Sequence, residues 1–173
     1  MTTAIEQLKQ EVEEKMNAVV YDWKDTDTNL RLIDEARAII EDNLDLPAKH
    51  IAEIATACRE YVQIRDFFMG VGYIEKPKNN VMLYLAKLTE ALDVYNAVPA
   101  LTVLSAYLYE ENKIEESKTM LDIAIKADPE YNLAKLLLRV HDAGWHPSIF
   151  VDMAKGSHAN VLKIIERRYD NLD

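Results

Sequence analysis

The chain is predicted to be all-α, a compact domain of about eight or nine helices. Two features point there. Apolar residues return at intervals of three and four in one segment after another, and the joints between segments hold residues that cap or break helices. The chain has 173 residues, 49% of them hydrophobic, with four glycines and five prolines. That length is expected to form a single domain with a core of its own. So little glycine and proline argues against long linkers and against disorder.

Residues 2–21 read as an amphipathic helix with Ile5, Leu8, Val12, Met16 and Val19 on one stripe. The spacing is nearly heptad, so this segment either docks on the domain or forms a coiled-coil arm; with fewer than three heptads, docking is favoured. The stretch 21–29 breaks the pattern, and Asp27 or Thr28 is expected to cap the next helix. That helix runs to about Asn43 and buries Leu30, Ile33, Ala36 and Ile40. Trp23 sits at the joint, as a core anchor or as an interface residue.

Pro47 is expected to open one long helix reaching Met69, with Ile51, Ile54, Ala55, Cys58, Tyr61, Val62 and Phe68 inward. Arg65 and Asp66 then fall in its last turns, where the dipole favours the arginine and disfavours the aspartate. Asp66 therefore needs a specific partner, and a structural polar pair of Arg65 and Asp66 is expected. Gly70 and Gly72 are read as the end of this helix. Residues 74–80 (IEKPKNN) cluster turn residues with the positive charge of Lys76 and Lys78, and are expected to form a flexible or binding loop. Residues 81–95 read as a helix that is apolar nearly all round and therefore central.

A helix hairpin follows over residues 97–131. Pro99 can start its first helix, since the N–H it lacks is unpaired there anyway. Leu101, Leu104 and Leu108, with Ala100, Val103 and Tyr107 beside them, form one broad face. The turn lies at 110–113. The second helix begins near Ile114, buries Met120, Leu121, Ala124 and Ile125, and stops at Asp128-Pro129. A helix over 132–143 buries Leu133, Leu136, Leu137 and Val140, and Gly144 caps it in the left-handed conformation. Pro147 starts a short helix through Ile149, Phe150 and Met153, and Lys155, Gly156 and Ser157 break it. A final helix over 160–169, capped by Ser157, carries a basic cluster of Lys163, Arg167 and Arg168.

The hairpin resembles a tetratricopeptide repeat, with Pro129 at its closing proline, Ala124 and Ser117 at its small positions, and Leu101 and Leu104 at its core positions. It departs from that pattern at Ser105 and Leu108, and no second copy lies about 34 residues away, so no peptide-binding solenoid is implied. A longer resemblance covers residues 51–153. The segments VQIRD (62–66), NAVPALTVLSAYLY (96–109) and AIKADPEYNLAKLLLRVHDAGWHP (124–147) look like the C-terminal half of an actinobacterial and actinophage family catalogued as domain of unknown function four-one-nine-two. Members commonly carry an α/β half upstream that has no counterpart here. The resemblance implies a fold and a bacterial or phage source, but no activity.

Composition narrows the function. Net charge is −10, unevenly spread: residues 1–60 hold 14 acidic and 7 basic residues, residues 61–173 hold 16 and 13. An acidic N-terminal part argues against gripping phosphate backbones and permits a basic partner surface. The one cysteine, Cys58, excludes an internal disulfide or a thiolate metal cluster and is expected to be a buried thiol. No apolar run is long enough to span a membrane, so a cytoplasmic location is expected.

Motifs for catalysis are missing. There is no phosphate-binding glycine loop and no nucleophile elbow. His141, His146 and His158 do not share helix-borne ligand spacing with Asp142 or Asp152, so they read as caps or exposed side chains and no metal or cofactor is expected. The expected function is a non-enzymatic protein-interaction domain. Its candidate contact residues are Glu11, Glu13, Glu14, Asp22, Trp23, Asp25, Asp27, Lys76 and Lys78, its partner another protein or a second copy. The alternatives are an acidic decoy that blocks a nucleic-acid-binding protein, and an enzyme built on Arg65, Asp66 and His141. Direct nucleic-acid binding would have to rely on Lys155, Lys163, Arg167 and Arg168, and is disfavoured.

Overall fold

The computed structural model describes residues 1–169, which hold nine helices and no strand. They are α1 (Ala4–Ala18), α2 (Thr26–Asp42), α3 (Ala48–Glu60), α4 (Val62–Ile74), α5 (Lys78–Ala91), α6 (Val94–Glu110), α7 (Ile114–Ala127), α8 (Asn132–Ala143) and α9 (Ile149–Glu166). None is long and apolar enough to cross a membrane.

The centre is α6. Every residue from Ala97 to Tyr107 is buried, because α3, α4, α5, α7, α8 and α9 all pack against it. The expectation that 81–95 would be central is therefore corrected: α5 leaves Leu83 exposed. Nor does Pro99 start α6. Asp93 caps it, taking the Asn96 N–H, and Pro99 stands inside the helix. A proline there cannot donate to the carbonyl four residues back. Arg59 of α3 donates to that carbonyl, on Tyr95, instead, while its guanidinium lies 4.0 Å over the Tyr95 ring and pairs with Asp128 at 2.9 Å.

The hairpin of α6 and α7 turns where expected. Its helices are locked by two hydroxyls: Ser105 Oγ donates to the Ser117 carbonyl at 3.0 Å, and Ser117 Oγ to the Ser105 carbonyl at 2.7 Å. Small residues permit the close approach these bonds need.

The long helix expected from Pro47 is two helices. Tyr61 is extended (φ −132°, ψ 101°), although no glycine or proline stands there. Leaving the helix lets its ring reach Trp23 at 5.5 Å, so tertiary packing overrides local propensity. Val62, expected inward, is 48% exposed as a result. Arg65 and Asp66 lie in the first half of α4, past its first turn, and not in the last turns of a helix as expected, so the end-of-helix dipole argument does not apply to them.

Gly70 and Gly72 do not end α4; they lie within it at close helix contacts. A Cβ on Gly70 would stand 2.5 Å from His158 Nδ1, and one on Gly72 would stand 2.6 Å from the Tyr107 ring. The Tyr107 hydroxyl sits in the space at Gly72, accepting its N–H at 3.0 Å and donating to the Phe68 carbonyl at 2.6 Å.

The loop expected over 74–80 is cut to residues 75–77, between the end of α4 and the start of α5. Lys76 pairs with Glu41, Lys78 with Glu110, and the Asn80 amide donates to the Ile40 carbonyl, so α2 and α6 hold this connection down. Other corrections are smaller. Asp25, not Asp27 or Thr28, caps α2, and its bonds from Thr28 hold its carboxyl below the usual range. Residues 149–166 form one helix without a break at Gly156, so Ser157 is no cap; its hydroxyl donates to the Met153 carbonyl. Gly144 has the left-handed φ of 62° expected.

Candidate functional site

Helix α8 packs on α6 and α7, and α9 packs on α2, α4 and α6. Between α8 and α9 lies a groove floored by α4, with a cavity of about 270 Å³. Leu133 and Leu136 line one wall, Phe150, Met153, Ala154 and Val161 the other, and Met69 and Gly70 lie in the floor. Leu136, expected to be buried, is 46% exposed, and Met153 is 52% exposed. The amphipathic pattern of α8 is wider than its contact with α6 and α7 uses, and the surplus faces this groove.

Most polar groups of the groove have partners within the protein. Arg65 donates through Nε and Nη2 to Asp66 Oδ1 at 3.0 and 2.8 Å, a contact between neighbours in the chain. His158, 3% exposed, donates from Nε2 to Glu75 at 2.6 Å. Its Nδ1 is buried over Gly70 with no hydrogen-bond partner. Glu75 also takes Arg37 Nε and Nη2 at 2.8 and 3.1 Å. Partial burial would raise the Glu75 carboxyl, but the bonds and charge of Arg37 and His158 outweigh it and hold it below the usual range.

His158, expected among caps and exposed side chains, is instead buried. It falls in step with Phe150, Ala154, Val161 and Ile165, the buried residues of α9, and that spacing could have revealed it. His141 does not join Arg65 and Asp66 in the groove; it bonds Ser117 at 2.9 Å. His146 is exposed beside Ser148. Among the described residues no cluster of side chains is arranged to hold a metal.

His50, which sequence reading passed over, is a second buried histidine. Its Nδ1 faces Glu35 at 3.1 Å and its Nε2 the Tyr84 hydroxyl at 2.6 Å. Burial lowers its pKa, against the pull of Glu35. A neutral ring satisfies both contacts, with Nδ1–H donating to the carboxylate and Nε2 accepting from tyrosine.

The expected acidic contact residues divide into two sets. Glu11, Glu13 and Glu14 are exposed on α1 with no ion pair among the described residues. Asp22 accepts the Lys24 N–H, Asp25 caps α2, and Asp27 pairs with Arg168. Trp23 is 39% exposed and packs on Tyr61 and Tyr169. Helix α1 itself rests on α3 and α5 through Val12.

A family model described as domain of unknown function (DUF4192) matches residues 1–148. The match takes in the N-terminal helices that lie outside the 51–153 segment of the expected resemblance. No curated protein and no solved structure matches the chain. With most of its length covered, the chain belongs to the DUF4192 family.

Proposed function

We propose that this is a non-enzymatic protein-interaction domain, binding its partner through an apolar helical groove together with the acidic surface of α1. The groove between α8 and α9 carries the reading. It leaves Leu136 and Met153 exposed beside a cavity, a feature that marks interaction sites when apolar surface is contiguous. The groups that could do chemistry nearby are engaged: Arg65 with Asp66, and His158 with Glu75. Glu11, Glu13 and Glu14 add unpaired negative charge on α1. The decoy reading rests on the same charge: Glu11, Glu13 and Glu14 have no ion pair among the described residues, while Asp22, Asp25 and Asp27 are exposed with one partner residue each.

The test is capture from a nuclease-treated bacterial lysate by the tagged chain, by a Glu11→Gln, Glu13→Gln, Glu14→Gln variant and by a Leu136→Ser, Met153→Ser variant. One stoichiometric protein kept by the parent chain and lost by either variant supports the reading. Capture of nothing, without self-association, refutes it. Turnover of any substrate that Asp66→Asn abolishes with unchanged thermal stability would establish the enzyme alternative.

A further inference from the structure

We propose that α1 is a detachable strap: it swings off α3 and α5 about Val19 and Val20 while α2–α9 stay folded, and so uncovers the apolar surface around Ala52 and Ala91. The opening is a property of the free chain and does not depend on what the domain binds.

The hold of α1 on the body is narrow. Of its fifteen residues only Val12 is buried, with Leu8 and Met16 partly buried beside it. Two cavities of about 280 Å³ each open alongside, one between Lys15, Ala18 and Ala52 of α3, the other between Val12, Met16 and Ala91 of α5. Atoms that line such gaps lack partners on one side and forfeit the dispersion attraction that holds helices together. Polar ties do not replace it. Among the described residues no ion pair joins α1 to another helix, and its one side-chain polar contact with the body runs from Thr56 Oγ1 to Met16 Sδ at 3.9 Å. The Ala52 carbonyl takes the same hydroxyl at 2.8 Å, so the sulfur gains little. Helix α9 shows the contrast: it buries five residues, ties His158 to Glu75 at 2.6 Å, and is followed by the Arg167 carbonyl, which accepts from Thr26 at 2.7 Å. Segments with few buried apolar contacts open on their own, at less cost than unfolding the whole chain.

The joint after α1 places the hinge. From Tyr21 onward the chain is pinned: the Tyr21 hydroxyl donates to Asn29 at 2.6 Å, and the Asn29 amide donates to the Trp23 carbonyl at 2.8 Å. Between α1 and that anchor stand Val19, extended at φ −65° and ψ 126°, and Val20, which is 98% exposed. Dihedral changes at a few residues that end an element are enough to swing it.

Hydrogen exchange of the full chain, read by mass spectrometry at several low urea concentrations, tests the opening. A lifted helix of this length is only marginally stable in water, so its amides exchange. They are expected to do so at least about 100-fold faster than those of residues 97–107 in α6, with little dependence on urea, since lifting α1 exposes little surface. Equal protection, or the urea dependence of global unfolding, overturns the proposal.

Thiol labelling tests what is uncovered. Ala52 is fully buried, and the thiol introduced by Ala52→Cys in the full chain is expected to react about tenfold or more faster when Val12→Ser is added, because Val12 seats the strap. Cys58 is the internal reference: it is buried among Phe68, Leu85 and Val103, on α4, α5 and α6, and should stay unreactive with or without Val12→Ser. An unchanged rate at the introduced thiol, or Cys58 labelled as fast as that thiol, means that α1 opens only with the core, and either result overturns the proposal.

Discussion

Replacing Gly70 with alanine puts a methyl group where the structure has none to spare. The new Cβ would lie 2.5 Å from His158 Nδ1, 3.0 Å from its Cγ and 3.2 Å from its Cβ. The ring cannot swing aside freely, because Nε2 is held by Glu75 at 2.6 Å, so α9 must move or the bond must break. Overpacking costs about 1–3 kcal/mol, and losing a hydrogen bond to a charged group about 1.5–3 kcal/mol. Alanine recovers about 1 kcal/mol of helix propensity. The net loss is about 0–2 kcal/mol if only one of these costs is incurred and up to about 5 kcal/mol if both are, and each kcal/mol lowers the melting temperature of a chain this size by about 2–4 °C. Thermal and urea unfolding followed by circular dichroism would measure it. Gly156 is the matched control: it is helical and exposed, and a Cβ there meets nothing within 4 Å. Gly156→Ala should therefore stabilise the chain by up to about 1 kcal/mol. If both variants shift stability in the same direction, the close-contact account of Gly70 is wrong.

Three further outcomes follow from the same geometry. Arg59→Ala should cost about 0.5–1.5 kcal/mol through its bond to the Tyr95 carbonyl, with the Asp128 pair lost besides, and less in a Pro99→Ala background, where residue 99 regains an N–H; equal costs in a double-mutant cycle would refute the staple. The lowered His50 pKa means the unfolded chain takes up protons more readily, so stability is full above about pH 6.5 and declines as pH falls below it. His141, lowered by burial and by Lys118, adds the same sign, and His50→Gln should flatten the slope of urea stability against pH over that window. Burial pushes the Cys58 thiol up to about 12, so it should react with a disulfide reagent only as the chain opens; fast labelling of the native chain would contradict its burial.

Much of the candidate site stood in the sequence without being recognisable as a site. The helix 132–143, its glycine cap and the apolar residues of α8 follow from local spacing, as do Phe150 and Met153 on α9. The sequence does not say which part of α8's apolar face its neighbours cover, so Leu136 was assigned to the core. The assignment of Gly156 and Ser157 as a helix break hid His158, because glycine and serine together resemble a turn while costing an exposed helix only about 1 kcal/mol. Arg65 and Asp66 could be seen as a pair because they are neighbours in the chain, but not their place in the first half of a helix rather than in its last turns.

The sequence alone determined the fold class, the hairpin turn at 110–113, the stop at Asp128-Pro129 and the burial of Cys58. These depend on spacing, capping and proline chemistry within a few residues. Only the tertiary structure decided the rest. Tyr61 leaves its helix to meet Trp23, Pro99 is tolerated inside α6 because Arg59 reaches Tyr95, and Gly70 and Gly72 serve contacts with His158 and Tyr107. In each case the partner lies more than thirty residues away in the chain, where local preferences, worth about 1 kcal/mol for a glycine and about 3 kcal/mol for a proline inside a helix, carry no information about it.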